Sequence, residues 1–142
     1  MSAHEAIRRL LAIYGQLLDS HRLDDWGGLF TPDAVFRVYG NAIEGREAIM
    51  KEIGGMQPPA NLPVKHGTLA PVIDLLDDDH ARVWTDLVAF GTTEDGSIGT
   101  ATIARYHDRV ERGDDGRWRF RERVIVMGGE DVPDGVAPTP AY

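Results

Sequence analysis

The hydrophobic positions along the chain change period about halfway. From residue 3 to 20 the apolar residues Ile7, Leu10, Leu11, Tyr14, Leu17 and Leu18 recur at three-and-four spacing, the mark of one buried helical stripe. A short second helix is predicted over 23–30, "LDDWGGLF", and a third over 46–53, "REAIMKEI", ended by Gly54 and Gly55. Between them "TPDA" (31–34) reads as a break, "VFRVYG" (35–40) as a strand and "NAIEG" (41–45) as its hairpin return. A loop follows at 56–63.

From residue 64 the period shortens to two. The stretches 64–76, 81–92, 97–112 and 117–127 read as four long strands. The turns between them, "DDDH" (77–80), "TEDG" (93–96) and "GDDG" (113–116), are rich in Asp and Gly, the chemistry of consecutive antiparallel hairpins. The tail 128–142 holds three prolines and little periodicity, so it reads as a loose or partner-bound extension of a single domain at 1–127. Helices first and a long sheet afterwards predict an α+β fold, with three N-terminal helices covering one face of a strongly curved sheet. Such a cone-shaped barrel encloses a space suited to a small molecule.

Composition narrows the function classes. At 142 residues the chain is long enough for a full core. Its formal net charge of −8 argues against a nucleic-acid backbone as partner. The absence of cysteine removes disulfides, iron–sulfur clusters and thiol nucleophiles. No apolar run approaches the roughly 20 residues of a membrane span, and the start lacks the apolar core of a signal peptide. A cytoplasmic protein is the resulting expectation.

Candidate chemistry centres on a few polar residues. Strand alternation puts Val64, His66 and Thr68 on one face, and histidine is the natural general base near neutral pH. Asp19 falls at the flank of the helical stripe, in a row with the small residues Ala12 and Gly15, which permit a close approach. A carboxylate at a helix C-terminus is mildly unfavourable, by roughly 0.3–1 kcal/mol, and an imidazole partner would offset that. Arg117, Arg119, Arg121 and Arg123 share one face under strict alternation, which makes Arg123 part of an exposed basic row unless a bulge turns it inward. Phe36, Trp84, Val88 and Phe90 read as core or cavity wall; His4, His21, His80 and His107 as terminal, structural or solvated. No spacing of histidines and carboxylates marks a metal site, and no dinucleotide or phosphate loop is present.

Tyr14, Asp19, "LDDWGGLFTPDAVF" (23–36), "EGREAI" (44–49), His66 and "ARYHDRVERGDDGRWRFRER" (104–123) together resemble the SnoaL-like branch of the nuclear transport factor 2-like superfamily. The resemblance covers about residues 4–127. It is sharpest toward the group of scytalone dehydratase, bile-acid 7α-dehydratase and hexachlorocyclohexane dehydrochlorinase, which carry out β-eliminations without cofactors. It implies an Asp19–His66 pair, an anion-stabilising Arg123 after Trp118, and Tyr14 and Tyr39 as cavity tyrosines; the second histidine of the dehydratases has no counterpart. It further implies a small, apolar, cyclic substrate and a homodimer or homotrimer. An isomerase or polyketide cyclase using the same cavity remains open, as does a binding module without chemistry. The last would show Asp19 and His66 too far apart to hydrogen-bond, or a filled cone.

Overall fold

A computed structural model describes residues 1–141. Helix α1 runs Ala3–Asp19 and opens with a reciprocal cap. The Glu5 amide donates to Ser2 Oγ (3.2 Å) while the Ser2 amide donates to Glu5 Oε2 (2.9 Å), which satisfies two of the amides a helix start leaves free. Its buried stripe is Ile7, Leu10, Leu11, Tyr14 and Leu18, as the periodicity predicts, while Leu17, also expected there, is only partly buried. Helices α2 (Leu23–Gly27) and α3 (Arg46–Gly55) complete the helical layer.

Seven strands form one curved sheet: β1 Phe30–Val38, β2 Asn41–Glu44, β3 Val64–Thr68, β4 Val72–Leu75, β5 His80–Thr92, β6 Ile98–Arg112 and β7 Trp118–Met127. Their order is β2-β1-β7-β6-β5-β3, with β4 also paired to β5. Only β1–β7 is parallel; the other pairs are antiparallel. Three expectations are corrected. The helix expected over 23–30 ends at Gly27, and Phe30 already belongs to β1. The 31–34 segment is not a break but the first half of β1. The single strand expected over 64–76 is two strands, interrupted at Leu69–Pro71 and pairing with different halves of β5; Pro71 has no amide to extend the ladder.

Besides an irregular stretch of β1 against β7 between Phe30 and Val35, two bulges shape the sheet. In β6 the pairing steps from Ala89↔Thr102 to Phe90↔Thr100, leaving Ala101 as an extra residue. In β7 it steps from Val110↔Phe120 to Arg109↔Glu122, leaving Arg121 as another. Each such bulge exchanges the faces of the residues beyond it. Thus Trp118 and Phe120 are buried on the inner side, and after the bulge the inner positions pass to Arg123, Ile125 and Met127.

The tail is docked on the outer face of the sheet. The Ala137 carbonyl accepts from Trp84 Nε1 (3.1 Å) and His107 Nδ1 (2.9 Å), and Arg105 Nη1 donates to Thr139 Oγ1 (2.9 Å). Trp84 and His107, both on the outer side, are therefore buried. Among the described residues no helix is long and apolar enough to cross a membrane.

Candidate active site

A cavity of about 220 Å³ opens between α1, the β1–β2 turn, the loop after α3 and the inner face of the sheet. A groove of about 820 Å³ lies at the other end of α1, beside Met1, Arg9, Arg112 and Trp118. The groove's Asp77 pairs with His80 on an exposed turn, whereas the smaller cavity is lined by a histidine, His66, whose acid partner is enclosed behind it.

That pair is Asp19 and His66. Asp19 closes α1 and His66 stands on β3, 47 residues away in sequence. One carboxylate oxygen, Oδ1, accepts from the ring at Nδ1 (2.5 Å), and the other, Oδ2, accepts from the His66 backbone amide (3.0 Å). Both side chains are largely enclosed, with 4% of Asp19 and 13% of His66 exposed. The close approach of helix and strand depends on Gly15, where a Cβ would stand 3.3 Å from His66 Cβ. With the carboxylate on Nδ1, the proton of the neutral ring sits there and Nε2 keeps its lone pair as the basic nitrogen. The fixed carboxylate also stabilises the imidazolium that forms when Nε2 takes a proton. Neither an over-long Asp19–His66 separation nor a filled cone is found, so the two marks expected of a binding module are missing.

Tyr14 and Phe36 line the cavity. Tyr39 stands at its mouth, 61% exposed, in the hairpin turn where Tyr39 (φ 52°) and Gly40 (φ 74°) both take the left-handed conformation that such a two-residue turn requires. Arg123 is the main correction. The β7 bulge brings it inside the fold, out of the exposed row that strict alternation predicts, yet it does not line the cavity. Its Nε and Nη2 donate to Asp108 Oδ1 (2.9 Å) and Oδ2 (2.7 Å), with both side chains fully buried. Its guanidinium carbon lies 3.7 Å from the Tyr106 ring centroid and 4.1 Å from those of Tyr14 and Phe120. Burial raises the Asp108 carboxyl, with Arg123 opposing it; burial also disfavours the Arg123 charge, but Asp108 outweighs that and holds the guanidinium above its ordinary range.

Trp84, Val88 and Phe90 are also corrected. Their alternate neighbours Leu87 and Ala89 line the cavity, so these three point to the outer face. Trp84 meets the tail there, and Phe90 is 44% exposed. The sequence reading took the bulky aromatic phase of β5 for the wall, whereas the smaller Thr85, Leu87 and Ala89 phase faces inward. It also missed Tyr106, which lines the cavity at 1% exposure. The available signal was the alternation Thr102, Ala104, Tyr106, Asp108 along β6, which ends on an acid opposite Arg123 in the next strand. Burial raises the phenol pKa of both Tyr14 and Tyr106, so both remain hydroxyl donors at neutral pH.

Comparison with known proteins agrees with this architecture. Residues 1–124 match the model of the SnoaL-like domain family. No curated protein sequence matches the chain. Among solved structures, an NTF2-like protein with a cystatin-like fold from Novosphingobium aromaticivorans is 23% identical, with a TM-score of 0.81 over 90% of this chain and 83% of that one. A protein from the same species, provisionally assigned as a scytalone dehydratase, is 22% identical, with a TM-score of 0.76 over 98% and 94%. A Catenulispora acidiphila protein solved in complex with S-DNPA is 25% identical, with a TM-score of 0.76 over 86% and 90%. With a cone of the nuclear transport factor 2-like type and a family match across most of its length, the chain belongs to the SnoaL-like domain family.

Proposed function

We propose that the protein is a cofactor-independent lyase that removes water by β-elimination from a small, largely apolar, cyclic molecule. The observation that carries this reading is His66 at the wall of an otherwise mainly apolar cavity, with Asp19 hydrogen-bonded behind it. His66 Nε2 takes a proton from the carbon next to a carbonyl, and Asp19 stabilises the resulting imidazolium. The released electron pair forms a carbon–carbon double bond as the β C–O bond breaks. The imidazolium returns its proton to the departing hydroxyl, so the products are the unsaturated carbonyl compound and water. The Catenulispora acidiphila relative was solved in complex with S-DNPA, which supports a bound ligand in a fold of this kind.

The test is to offer scytalone and related cyclic β-hydroxy ketones and to follow product mass. Loss of one water is expected, and His66→Ala should lower the rate by about 10²–10⁴-fold, the usual worth of a positioned general base. Full turnover in both His66→Ala and Asp19→Asn would sink the reading. A product of unchanged mass would replace elimination by isomerisation or cyclisation in the same cavity.

A further inference from the structure

We propose that Tyr14 and Tyr106 jointly hydrogen-bond the oxygen of a neutral cyclic ketone of one or two rings, which makes Tyr106 a further catalytic residue. The word catalytic rests on the lyase reading; the binding geometry does not. The two rings meet edge to face, with centroids 5.9 Å apart and planes at 70°, and both line the cavity that holds His66. Neither hydroxyl is among the buried side-chain polar atoms left without a partner, so both reach the cavity surface or a hydrogen-bonding group.

Other donors are excluded by placement. Arg123 does not line the cavity: it lies against the ring faces, with Nε and Nη2 on Asp108 and the buried Nη1 without a partner. Gln57 donates to the Ile53 carbonyl (3.0 Å). Tyr39 sits exposed at the mouth. Besides the Thr102 hydroxyl, the phenols are thus the hydroxyl donors lining the cavity, where negative charge would develop on a carbonyl oxygen as His66 removes a proton. Arg123 also stacks behind both rings without reaching the substrate, its charge matched by Asp108.

The same lining selects against anions. None of the lining side chains is a lysine or arginine, and the buried Arg123–Asp108 pair brings no net charge. A carboxylate or phosphate would lose its hydration and gain no counter-charge. The size of the cavity, about 220 Å³, lies below the roughly 300–1,000 Å³ of sites for drug-sized ligands. A one- or two-ring molecule is the matching scale.

The probe is 1-tetralone, a neutral bicyclic ketone with no leaving group, compared with 1-naphthoate. Wild-type protein should bind 1-tetralone and move its carbonyl stretch to lower frequency in the infrared. Tyr106→Phe and Tyr14→Phe should each move it part of the way back and weaken binding by up to about tenfold, the worth of one hydrogen bond. 1-Naphthoate should bind at least about tenfold more weakly than the ketone. An unshifted carbonyl in wild-type protein, a Tyr106→Phe spectrum identical to wild type, no binding of 1-tetralone, or equal binding of naphthoate would each overturn the proposal. The wild-type spectrum decides alone if a variant does not fold. His66→Ala should keep the shift, so failure of the lyase reading and failure of this one are separable.

Discussion

Asp19 holds His66 at two points, one carboxylate oxygen on the ring and the other on the backbone amide of the same residue. The second contact sets the carboxylate before the ring is considered, because a backbone amide cannot rotate away. Asparagine at position 19 could keep one acceptor but not the charge. Asp19→Asn should therefore lower kcat/KM by about 10–100-fold, less than His66→Ala. Steady-state kinetics of both variants on one substrate check the order.

Gly15 is the contact point between α1 and β3. A methyl group there would meet His66 Cβ at 3.3 Å, so the strand must yield by a few tenths of an ångström. Alanine also favours the helix by about 1 kcal/mol, which offsets the crowding. Gly15→Ala should keep its unfolding temperature while Gly15→Val loses about tenfold or more in kcat/KM, since displacement of a catalytic group is costly in rate. Thermal unfolding and kinetics on the same samples separate the two effects.

The Arg123–Asp108 pair is fully buried, so removing one partner strands the other. Arg123→Met should cost about 3–5 kcal/mol, a fall of roughly 10 °C or more in Tm. The double variant Arg123→Met/Asp108→Leu should recover most of that loss, because no charge is left behind. Calorimetry of the two variants provides the comparison.

Acid stability should depend in part on the β5–β6 turn. Hydrogen bonds from Ser97 and Thr93 lower the Asp95 carboxyl to about 2, from an ordinary 3.8. A carboxyl lowered in the folded state stabilises the fold above its unfolded value, and that contribution disappears as pH falls from about 4 toward about 2. Asp95→Asn should flatten Tm across this window and leave it nearly parallel to wild type above pH 5, roughly one unit beyond the unfolded value.

The tail should matter to stability and not to chemistry. Deleting residues 130–142 removes the carbonyl that Trp84 and His107 share and uncovers Trp84. The expected result is a lower Tm and a red-shifted tryptophan emission with unchanged turnover. Trp84→Phe should abolish the emission change and confirm its source.

The amino-acid sequence by itself determined the order of helices and strands, the buried stripe of α1 and the places of the hairpin turns. These features arise from local periodicity and turn chemistry, which neighbouring residues settle among themselves. It also carried the small Gly15 beside the flank of Asp19, a sign that something approaches there. Only the tertiary structure decided which face of each strand looks inward. The extra residues Ala101 and Arg121 exchange the faces of β6 and β7, and their positions depend on pairing with another strand. That is why Arg123 entered the core. Tyr106 reached the cavity because the unbroken Thr102, Ala104 and Tyr106 phase of β6 faces inward. Trp84, Val88 and Phe90, bulky enough to suggest a wall, face outward because the opposite phase of β5 lines the cavity, Trp84 beneath a tail whose docking no local pattern encodes.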